Sequence, residues 1–148
     1  MESIKSSVAV VIRAGSADRQ GRILAVRRPP DDPELPDVWG LPAASLRAGE
    51  SWRAAVERAG RDKLGVELSV AAVLREGAGE RPGYRLHMML CEASIKEGEG
   101  EPKVPQRVGG VTQYTEWKWA DATELVAGAR LGSLCCRLYL REEGETWT

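Results

Sequence analysis

The stretch Leu41–Val66, LPAASLRAGESWRAAVERAGRDKLGV, constrains this chain more than any other. Leu41-Pro42 closes a short extended piece, and Gly49-Glu50 turns the chain. Ser51 is placed to cap a helix, because its hydroxyl can accept from the free N–H groups two or three residues on. Trp52, Ala55, Val56, Ala59 and Leu64 recur at roughly helical spacing, so one face is apolar. Gly65 ends the helix, since glycine tolerates the left-handed conformation after a last turn. The chain therefore has a loop, a helix and a second loop at its centre, and the strands must be arranged around them.

The 148 residues suit one domain, 1–148, with enough chain to bury a core. The net charge is −1 and acids and bases are interleaved, which gives no electrostatic footprint for a nucleic-acid duplex or a membrane surface. No apolar run approaches membrane-spanning length. The start, MESIKSSVAVVIRAG, alternates into Arg13 and a turn, which reads as a strand rather than a signal peptide. Cys91, Cys135 and Cys136 are odd in number and contain no C-x-x-C, so neither a disulfide framework nor a zinc site follows. A reducing cytoplasm is the expected setting.

Val8–Arg13 and Arg22–Arg27 read as two strands of a hairpin through a turn at Gly15–Asp18. Four prolines keep PPDDPELPD, from Pro29 to Asp37, out of regular structure. After the helix, Glu67–Leu74 reads as a strand and Glu76–Gly83 as a loop. Tyr84–Glu92 alternates, with Tyr84, Leu86, Met88 and Leu90 on one face. Ala93–Gly110 reads as a long acidic loop and Thr115–Trp119 as a strand. Asp121 then caps a short helix through Val126, Ser133 caps a last helix over Leu134–Glu142, and the tail GETWT frays. Helices on both sides of a mixed sheet are the natural way to bury both of its faces. The fold class is α/β.

The central stretch resembles the signature of the Nudix hydrolase superfamily. That signature is a glycine, five residues, Glu, seven residues, then Arg-Glu-hydrophobic-x-Glu-Glu-x-Gly-hydrophobic. Anchored on Gly65 and Val66, the frame puts Glu50 on the first Glu and Arg58 on the Arg with no gap, and Trp39-Gly40-Leu41-Pro42 looks like the family's lead-in. The centre departs from the pattern. The first glycine falls on Ala44, the Arg-Glu pair reads Arg58-Ala59, the hydrophobic position is Gly60, and the Glu-Glu pair reads Asp62-Lys63.

The resemblance implies a MutT-like α/β/α sandwich (α+β, a mixed sheet between helices) over roughly Val8–Glu142. It also implies hydrolysis of a nucleoside diphosphate linked to another moiety, with Mg²⁺ or Mn²⁺ as cofactor, and it allows a homodimer. Helix positions i, i+3 and i+4 share a face, so the family's pattern gathers three carboxylates there for a metal. Here that face carries Ala59, Asp62 and Lys63. An ammonium at close range repels a metal ion, so metal-dependent pyrophosphohydrolysis is expected to be weak or lost. The alternative is a nucleotide-binding or sensor domain on a Nudix scaffold without catalysis. A third reading is a structural domain with a vestigial cleft.

Each candidate residue has an ordinary reading beside the functional one. Glu50 is either a loop-bracing carboxylate or an acid favoured by the helix dipole. Arg58 carries the family's bracing arginine over, or is a solvated helix arginine. Asp62 is the metal-ligand candidate by position, or pairs with Arg58 on the helix surface. Glu116 is a second candidate ligand, arriving from another strand. Lys63 either binds a phosphate as a point charge in place of the metal or complements the helix C-terminus. Arg27 and Arg28 end a strand near the expected cleft, as phosphate contacts or as a solvated rim. Trp39 stacks on a substrate ring or, more commonly for such a residue, fills the core. His87 reads as structural, and Cys135-Cys136 as helix packing.

Overall fold

The computed structural model describes residues 3–14 and 21–145. The expected turn at Gly15–Asp18 and the end of the tail, from residue 146, lie outside the described residues. Nine strands and three α-helices follow in the order β1 (Ser3–Ile12), β2 (Ile23–Arg27), β3 (Trp39–Gly40), β4 (Ala43–Ser45), α1 (Trp52–Ala59), β5 (Leu68–Arg81), β6 (Tyr84–Ile95), β7 (Arg107–Val108), β8 (Val111–Thr112), β9 (Glu116–Ala120), α2 (Val126–Arg130) and α3 (Leu134–Glu142). These counts are of the described residues.

One sheet has the order β4-β1-β6-β5, with β1 parallel to β6 and antiparallel to β4. A second sheet has the order β3-β2-β9. Alternation along the strands sorts side chains between two cores. Val8, Val10, Ile12, Leu24 and Val26 pack with Ala55, Val56 and Ala59 of α1. Ala9, Val11, Ile23 and Ala25 face the opposite way and pack with α2 and α3. Helices thus cover both faces, as the α/β/α expectation requires. No helix among the described residues is long and apolar enough to cross a membrane.

The central helix begins where the sequence places it. Ser51 is the N-cap, and its Oγ accepts from the Ala54 N–H at 3.1 Å. The α-helical part ends at Ala59, and a wider π-helical turn, Gly60–Leu64, carries the chain to Gly65 at φ 66°. Removing the cap in Ser51→Ala is expected to lower stability by about 1 kcal/mol in urea unfolding. An unchanged midpoint would mean that the helix start is held by packing alone.

Four expectations change. β1 and β2 do not form a hairpin ladder: they touch at one bridge, Arg13 with Ile23, then enter different sheets. The loop expected over Glu76–Gly83 is mostly strand, because β5 runs unbroken to Arg81 and pairs with β6 down to Arg81 opposite Tyr84. The long loop expected over Ala93–Gly110 loses both ends. β6 continues to Ile95, and Arg107–Val108 pairs with Val111–Thr112 across Gly109-Gly110. The short helix after Asp121 is a 3₁₀ turn over Ala122–Leu125 that leads into α2.

Candidate functional site

Two structures meet at the end of β4. The first is the brace between α1 and the loop before it. Arg58 Nε donates to Glu50 Oε2 at 2.9 Å and its Nη2 to Glu50 Oε1 at 2.9 Å, a bidentate pair. The same Nη2 donates to the Ser45 carbonyl at 2.6 Å, which ties the helix to β4. Glu50 Oε1 also accepts from the Arg47 N–H at 3.0 Å and closes the turn through Gly49 at φ 75°, a conformation that favours glycine. Eight residues separate the two partners, so they meet only because the loop folds back over the helix.

Hydrogen bonds from Arg58 first, then from the Arg47 N–H, hold the Glu50 carboxyl at about 2 against an ordinary 4.5. A carboxyl depressed by folding binds fewer protons in the native state. Its stabilisation is therefore complete above about 4.5 and is lost as pH falls towards about 2. Glu50→Gln is expected to flatten the pH dependence of the melting temperature within that window. Parallel pH profiles for the two proteins would remove Glu50 as the source.

The second structure is a cavity of about 390 Å³ where the two cores meet, reached by Met88 and Cys135 from one and by Val26, Ala44 and Tyr114 from the other. Leu86, Met88 and Leu134 supply apolar wall, and the loop after β2 supplies Arg28 and Asp32. Asp32 fixes that loop. It accepts from the N–H groups of Glu34 at 3.0 Å and Leu35 at 2.8 Å, and from Arg28 Nε at 3.0 Å. Glu34 pairs with Arg81 at 3.5 Å on the same rim. Lys63 reaches the cavity from the π-helical turn, donates to the Ala43 carbonyl, and sits 5.6 Å from the ring centroid of Tyr114. The Tyr114 hydroxyl accepts from the Ala43 N–H at 3.0 Å. Ala43 is thus held by both residues, and no carboxylate among the described residues pairs with Lys63.

The structure brings some of the sequence candidates together and separates others. Glu50 and Arg58 meet in the brace, while Arg28 and Lys63 share the cavity. Arg27 and Glu116 face each other across β2 and β9 and form an ion pair at 3.0 Å, outside the cavity lining. Asp62 is half-buried beside Arg58, whose charge it reinforces, and does not line the cavity. Trp39 packs against the core on the α3 side with the Lys118 ammonium 4.3 Å from its ring centroid. Ser7, Tyr114 and Cys135 line the cavity and carry no local motif that singles them out.

The donor set can be compared with the metal that the family's pattern serves. On the helix face of three, Ala59 is fully buried and offers no donor, Lys63 offers a cation, and Asp62 alone offers a carboxylate. Among the described residues no group of three or more His, Cys, Asp or Glu is placed to hold a metal ion. Mg²⁺ prefers oxygen ligands in octahedral array, and this face does not fit it.

No curated protein matches the chain by sequence. The solution structure of the E. coli ORF135 protein is similar at 19% identity, with 95% of this chain and 92% of that chain covered and a TM-score of 0.68. A MutT protein from Methanosarcina mazei Go1 is similar at 15% identity, covering 97% and 95%, with a TM-score of 0.71. A NUDIX hydrolase from Nitrosomonas europaea is similar at 15% identity, covering 96% and 89%, with a TM-score of 0.72. These likenesses are of fold. A sequence model of the NUDIX domain matches residues 4–133, nearly the whole described chain, and by that match the chain belongs to the NUDIX family.

Proposed function

We propose that this domain binds a nucleotide, or a nucleoside diphosphate linked to another moiety, in the cavity beside Lys63, and that its metal-dependent hydrolysis is weak or lost. The observation that supports this most is the Lys63 ammonium. It stands at the Ala43 carbonyl, facing the cavity, at the position where the family's pattern has a carboxylate. A fixed cation there attracts a phosphate and repels a divalent metal. The Glu50–Arg58 brace is retained, so the loop keeps its shape although Arg58 lacks the acid that follows it in the family pattern.

One observation favours residual activity. The Asp62 carboxylate accepts no hydrogen bond among the described residues, so a single ligand stays available for a weakly held metal. A panel of nucleoside triphosphates, ADP-ribose, dinucleoside polyphosphates and sugar nucleotides, with Mg²⁺ or Mn²⁺, separates the two cases. The binding reading expects saturable, metal-free affinity for a member of the panel with little or no turnover. Rapid metal-dependent turnover that collapses in Asp62→Asn would instead establish a rebuilt metal site.

A further inference from the structure

We propose that Cys135 is a reactive thiol in the cavity wall, placed to form a mixed disulfide with a low-molecular-weight disulfide that enters the cavity. Cys135 is the second residue of α3, a nine-residue helix whose N-cap is Ser133. The free N–H groups and the dipole of a helix start favour a thiolate over a thiol. Ser133 Oγ accepts from the Cys136 N–H at 3.5 Å, which leaves its own proton for the Cys135 sulfur 3.3 Å away.

The three thiols stand in different surroundings. Cys91 is fully buried in the core on the α1 side, and burial pushes its thiol up to about 11. Cys136 is also fully buried, and its bond to Cys135 together with burial raises its thiol. Cys135 is lowered instead, by the hydrogen bond from Cys136 first and then, against burial, by the Ser133 hydroxyl and the Leu41 N–H. It too is buried, at 7% exposed, but of the three it is the one that lines the cavity.

A second group in the wall points to an occupant. Ser7 is 6% exposed, lines the cavity, and its hydroxyl has no hydrogen-bond partner among the described residues. It faces the α3 side, as its neighbours at odd positions of β1, Ala9 and Val11, do. A buried hydroxyl without a partner is costly, and a polar group brought into the cavity would satisfy it. In the step itself, the Cys135 thiolate attacks one sulfur of the disulfide and forms a new S–S bond. The disulfide's own S–S bond breaks, and the displaced thiolate leaves with the electron pair and takes up the proton. Cys135 is oxidised and the departing half is reduced. The step needs neither metal nor nucleotide, so it can be tested on the nucleotide-free protein and fails or succeeds independently of the nucleotide binding proposed for the same cavity.

The test treats the reduced, folded protein with dithiodipyridine and follows thiopyridone release. Fragment mass spectrometry then locates the adduct within the tryptic peptide Leu131–Arg137. One thiol is expected to react on the order of tenfold faster than the other two, with the label on Cys135. The fast phase should vanish in Cys135→Ser and persist in Cys91→Ser. Because the labelling is read on the unsubstituted protein, a poorly folding variant does not blur the result. A fast label on Cys91 or Cys136, or no reaction faster than unfolding, would overturn the proposal.

Discussion

Gly60→Ala is expected to destabilise the protein by about 2–3 kcal/mol, the cost of overpacking a filled site. Helix propensity alone predicts the opposite sign, because alanine is favoured over glycine in a helix interior by up to about 1 kcal/mol. The difference lies in what a side chain meets at residue 60. A Cβ there would stand 2.6 Å from Leu68 Cγ and 2.8 Å from the Val66 carbonyl oxygen. Leu68 is 1% exposed at the start of β5, with little room to move. The Val66 backbone is held as well, since its N–H donates to the Gly60 carbonyl at 3.1 Å. The wide turn after α1 is thus pressed against the chain that follows it. Gly60→Leu, which restores the hydrophobic residue of the family's pattern, should cost more than Gly60→Ala. Urea unfolding of both variants checks this, and a Gly60→Ala midpoint equal to or above that of the unsubstituted protein would refute it.

The same contacts explain why some of the fold was legible in the sequence and some was not. Ser51, the apolar spacing of α1 and Gly65 act through neighbours in the chain, so the central helix could be read residue by residue. Gly77 and Gly79 look like turn signals, yet they lie inside β5. Gly77 leaves space for Leu138 of α3, and a Cβ at Gly79 would stand 3.9 Å from Leu134. Gly77 thus serves helix–sheet packing, which no local pattern announces. The wider turn over Gly60–Leu64 is equally hidden, because it is set by close approach to β5.

The site divides along the same line. Glu50 and Arg58 were visible through the fixed spacing of a known signature, and the structure joins them. Arg27 and Glu116 are both site candidates on sequence alone, but strand register pairs them with each other. Ser7, Tyr114 and Cys135 come from β1, the segment before β9 and α3, and only the tertiary fold places them around one cavity. The ordinary reading of Cys135 as helix packing is correct for its backbone position and silent about the cavity beyond it.

Lys63→Met is expected to weaken metal-free binding of ADP-ribose by about 1.5–3 kcal/mol, the range for hydrogen bonds to charged groups. That corresponds to a loss on the order of ten- to a hundredfold in affinity. Methionine keeps an unbranched stem beside Tyr114 while removing the charge that faces the cavity. Lys63→Glu should lose at least as much without metal, because a carboxylate would repel both the phosphates and the Ala43 carbonyl that Lys63 now contacts. With Mg²⁺ the two variants should diverge. The introduced carboxylate and Asp62 lie on the helix face where the family's pattern gathers its acids, so Mg²⁺ should recover part of the lost affinity in Lys63→Glu and none in Lys63→Met. Titration calorimetry with EDTA and with Mg²⁺ reads all four cases, and thermal melts separate lost binding from lost folding. Equal affinity of Lys63→Met and the unsubstituted protein would show that the ammonium does not replace the metal. The phosphate contact would then have to come from Arg28 or Arg81, the other cations that line the cavity.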